Sequence, residues 1–93
     1  MMLEEIIDVV MEEFEGMFLE KNIPFGEDAI LTLTNKDFVQ YYVYISSECF
    51  NSSVTREDLK FEQVFGANFT EDSKDKCFTV NSFTVGEKAL ESL

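Results

Sequence analysis

The chain predicts an α+β fold, a single domain over residues 1–93 in which an N-terminal amphipathic helix packs on an antiparallel sheet of three or four strands. Three observations predict it. Apolar residues recur at helical spacing through the first eighteen positions, runs rich in β-branched and aromatic residues follow from Ala29 onward, and Pro24 with Gly26 separates the two regions.

The helix is the most strongly sided element. At about 100° per residue, Leu3, Ile7, Val10, Phe14 and Met17 form one wedge, widened by Ile6 and Phe18. Glu4, Glu5, Asp8, Glu12 and Glu15 fall within roughly 100° of one another on the opposite side. The helix is expected to end near Lys21 or Asn22, because Ile23 precedes Pro24 and is pushed toward extended geometry.

Residues 29–34 then read as a strand, Asn35, Lys36 and Asp37 as a turn, and residues 38–46 as a longer second strand, making a β-hairpin. Residues 55–65 are ambiguous. Thr55 with Asp58 resembles a helix start, while Leu59, Phe61 and Phe65 alternate with Lys60, Glu62 and Val64 as in a strand, which is the favoured reading. A polar turn over 71–76, a strand over 77–85 and a short C-terminal helix over 87–93 complete the expectation.

The second strand is apolar on both faces. Val39, Tyr41, Val43 and Ile45 point one way; Phe38, Tyr42 and Tyr44 point the other. One helix covers one face, so the other is left for the C-terminal segment, a second copy of the chain or a partner. Phe38, Tyr42 and Tyr44 are therefore candidate partner-binding residues, with ordinary core packing as the plainer account of aromatics in a strand.

The acidic stripe is the sharper candidate. The first twenty residues hold seven carboxylates and no basic side chain. The plain account is a solvated face, but such faces usually interleave Glu with Lys, whereas here like charges are neighbours, each pair costing about 0.2–0.5 kcal/mol. The whole chain has 19 Asp plus Glu against 7 Lys plus Arg, a formal charge of −12 on 93 residues, and Arg56 is its one arginine. Direct contact with nucleic acid is thereby excluded as an expectation, since phosphates call for clustered Lys and Arg, and anionic membranes would repel the chain. A basic protein surface is the partner such a field attracts. Solubility alone would also account for the net charge.

Catalysis finds no support. Histidine is absent, so the usual general base near neutral pH is missing, and Cys49 and Cys77 have no histidine to activate them. Exposed helix carboxylates lack the apolar pocket that tunes a general acid. No phosphate-binding glycine loop and no calcium-loop pattern occurs, and the two cysteines make no zinc framework, so no cofactor or metal is expected. The cysteines read as reduced and buried beside Phe50 and Phe78, with one bridge between neighbouring strands as the alternative. No run approaches the roughly 20 apolar residues of a membrane span, and the N-terminus has no positive region of a signal peptide, so a cytoplasmic location is expected, the host cytoplasm if the chain is phage-encoded.

With Glu4, Glu5, Asp8, Glu12 and Glu15 on one face of a small acidic domain, the chain resembles the anti-defence proteins of phages and mobile elements, including anti-CRISPR and anti-restriction inhibitors. The resemblance lies in size, charge and expected fold. It implies a non-enzymatic inhibitor of a basic, nucleic-acid-handling protein that presents carboxylates where phosphates would lie. Two other readings stand beside it: an immunity or adaptor protein that meets a basic toxin or assembly, and a structural subunit that forms a homodimer through the open sheet face.

Overall fold

A computed structural model describes residues 1–64 and 75–82. Residues 71–74 of the expected turn over 71–76, the end of the last strand beyond Ser82 and the C-terminal helix lie outside them. The described chain is one helix on one face of a five-stranded, mostly antiparallel sheet, the α+β arrangement that the sequence predicts. The order along the chain is α1 (Leu3–Glu13), β1 (Phe18–Phe25), β2 (Asp28–Thr34), β3 (Gln40–Ile45), β4 (Leu59–Gln63) and β5 (Cys77–Ser82). Across the sheet the order is β1-β2-β3-β5-β4.

The helix stops about two turns earlier than its apolar period suggests. Phe14 closes it, its N–H donating to the Val10 carbonyl, and Gly16 turns the chain at φ 82°. Two causes act together. Glu12 and Glu13 stand at the negative end of the helix dipole with no base in the last turn, and Gly16 lowers helix propensity. Phe14 and Met17 still pack on the core, so the 3.6-residue period runs on past the helix. The released residues form β1, and that strand raises the sheet from the expected three or four strands to five.

The expected first hairpin is β2 and β3. Leu33 faces Tyr41, Leu31 faces Val43 and Ala29 faces Ile45, so the period-2 pattern puts one apolar row on one side. β5 then runs parallel to β3, with Val43 beside Phe78 and Ile45 beside Val80, and β4 closes the sheet antiparallel to β5. That parallel pair departs from the all-antiparallel expectation. It arises because β5 enters between β3 and β4.

Both features suspected over 55–65 are present in its described part, 55–64. The Asp58 carboxylate accepts from the Thr55 N–H at 2.8 Å and from its hydroxyl at 3.1 Å, capping a single 3₁₀ turn over Arg56–Asp58, after which β4 begins. The capped turn is too short to continue as a helix because Leu59 and Phe61 alternate toward the core.

Ile6 and Val10 of α1 are fully buried against Ala29, Leu31, Leu33, Val43, Ile45, Cys49 and Val80. Phe14 extends the layer, its ring edge-on to Phe78 at 4.9 Å and to Phe61 at 6.4 Å. Both cysteines are free thiols; burial in the core pushes the Cys49 pKa up to about 11, while Cys77 is half-buried. Ile6→Ala removes a side chain at the centre of the one helix-to-sheet contact. It is expected to cost about 2–5 kcal/mol, read as a lower midpoint in chemical denaturation with unchanged slope.

Candidate functional site

The fold gives the molecule two unlike outer faces. The outer side of α1 displays Glu4, Glu5, Asp8 and Glu12, all exposed, because Ile6 and Val10 turn the opposite side to the sheet. From Glu4 to Glu12 the stripe is about 12 Å long at 1.5 Å per residue. Glu15 is exposed but stands in the turn beyond the helix, so the fifth carboxylate expected on the stripe leaves the helical face.

The acids are not equivalent. Glu5 Oε1 accepts from the Met2 N–H at 3.3 Å and helps cap the helix start. Glu12 is ion-paired with Arg56, the chain's one arginine, which tethers the 3₁₀ turn before β4 to the end of α1. Both partners are exposed, so the pair is worth at most about 1 kcal/mol. Glu4, Asp8, Glu13 and Glu15 have no basic partner among the described residues. The free charge is thus concentrated on Glu4 and Asp8 along the helix, with Glu13 and Glu15 at its end.

The second face is the side of the sheet away from α1. Register assigns its residues: Phe18 lies opposite Thr34, Lys21 opposite Thr32, Ile23 opposite Ile30 and Phe25 opposite Asp28, continuing to Tyr42 and Tyr44 on β3 and Cys77 and Thr79 on β5. Tyr42 and Tyr44 point away from the helix-side row, as the alternation predicts. No described element lies over this face. Phe18 is 65% exposed, Phe25 59% and Tyr42 38%.

Tyr44 is half-buried and fastened. Its hydroxyl donates to Asp28 Oδ2 and its ring meets Phe25 edge-on at 6.3 Å. The Ser47 N–H donates to the other Asp28 oxygen at 2.7 Å, so one carboxylate joins the start of β2 to the end of β3. Hydrogen bonds from Tyr44 and then Ser47 hold the Asp28 carboxyl below its usual range, and the same bond to Asp28 raises the Tyr44 phenol. At the other end of the face, Thr34 and Gln40 donate to Glu20 and lower its carboxyl likewise.

Phe38 is not in the strand assigned to it. It sits in the β2–β3 loop at φ 64°, a left-handed conformation that bulky side chains rarely adopt, with 88% of the residue exposed. Asn35 holds it there. Its Oδ1 accepts from the Asp37 and Val39 N–H groups at 2.9 and 3.0 Å, its carbonyl accepts from the Phe38 N–H at 3.0 Å, and its own N–H donates to Val39 O at 3.1 Å. Beside this loop an open groove of about 510 Å³ is lined by Phe18, Leu19, Glu20, Thr34, Asn35, Lys36 and Phe38.

The apolar period assigns Phe18, Leu19, Ile23 and Phe25 to the end of a helix and a loop, whereas the structure places them in β1. Gly16 and the apolar positions flanking Pro24 were the available signals for an edge strand. Among the described residues no cluster of side chains is suited to hold a metal ion, and no helix is long and apolar enough to cross a membrane.

Two outcomes follow from this geometry. Because the folded Asp28 pKa is depressed, its contribution to stability is full above the unfolded value near pH 4 and is lost as pH falls through the folded value; the raised Tyr44 contributes below about pH 10 and loses its share above it. Denaturation midpoints of Asp28→Asn should therefore fall less steeply than those of the native chain between about pH 5 and pH 2. Phe38→Asn places a residue tolerant of left-handed geometry at the strained position, and should raise stability by about 1 kcal/mol, about 4–8 °C in thermal midpoint. No protein-family profile matches the chain, and no curated protein or solved structure matches it either.

Proposed function

We propose that the chain is a non-enzymatic protein that binds and inhibits a basic, nucleic-acid-handling protein, using its helix carboxylates in place of phosphates. The observation that carries the reading is the row of exposed acids on α1, in which Glu4 and Asp8, with Glu15 beyond, have no basic partner among the described residues. A surface kept only for solubility gains from mixed charge, whereas this one accepts like-charge neighbours on a helix whose opposite side is committed to the core.

The physical action is competition. Exposed carboxylates spaced about 6 Å apart per helical turn-and-a-bit offer a basic groove successive negative charges, with fast and salt-sensitive association. Glu4, Asp8 and Glu15 are the contact residues on this reading. Glu5 and Glu12 support them, one by capping the helix and the other by anchoring Arg56.

The test uses Glu4→Lys, Asp8→Lys and Glu15→Lys together, leaving Glu5 and Glu12 in place so that helix start and ion pair survive. Native chain immobilised in nuclease-treated host lysate should retain a basic nucleic-acid-binding protein, releasing it to added DNA or to about 0.5 M salt. The folded triple variant should bind that protein at least about tenfold more weakly. Equal binding by the two chains, or binding that DNA does not displace, would overturn the reading.

A further inference from the structure

We draw no further inference here: the strongest candidate, the open groove beside the β2–β3 loop between Phe18 and Phe38, carries nothing because nothing in the structure shows what covers it.

Discussion

The burial of Ile6 and Val10 against the apolar row of β2, β3 and β5 is the contact on which the rest of this structure depends. An eleven-residue helix is marginal by itself in water, and this one is further weakened by like charges along its outer side and by acids at its C-terminal end. It persists because its inner side is taken out of water. The same docking decides which way the acids face: with Ile6 and Val10 turned inward, Glu4 and Asp8 are turned outward and exposed. Charge display and core formation are one event, at opposite sides of one cylinder.

That docking also makes the sheet asymmetric. Among the described residues a single α-helix covers one face, and the strands answer with different chemistry on the two sides: Leu31, Leu33, Val43 and Ile45 beneath the helix, and Thr32, Thr34, Tyr42 and Tyr44 away from it. The away side is neither fully polar nor fully apolar. The Tyr44 hydroxyl and the Gln40 amide there are tied to carboxylates, Asp28 and Glu20, while Phe18 and Phe25 are left projecting. Polar ties that hold the strands in register, combined with exposed rings at the rim, describe a surface stiff enough to meet another protein at low cost in ordering.

The two faces thereby differ in physical character. Charge on the helix side acts through a long-range field that ionic strength weakens, while the exposed rings of the sheet side offer shape and apolar area that screening does not weaken.

Periodicity by itself determined the fold class, the hairpin of β2 and β3, the side of the helix that is buried and the outward direction of Tyr42 and Tyr44, because each depends on which residues a local geometry turns to the same side. Composition determined the net charge and the absence of histidine. The end of the helix, the fifth strand and the parallel pairing of β3 with β5 were decided only by tertiary structure: Phe14 and Met17 satisfy the core from a turn as well as a helix would, and the place of β5 between β3 and β4 is a contact between segments far apart in sequence. The inequivalence of the carboxylates was decided there too, since Glu12 and its counter-ion Arg56 stand 44 residues apart and meet only when β4 docks. Phe38 is a different case. Its alternation with Tyr42 and Tyr44 predicts a strand position, but hydrogen bonds at Asn35 that span only two to four residues place it in the turn and in solvent, a local competition that alternation does not register.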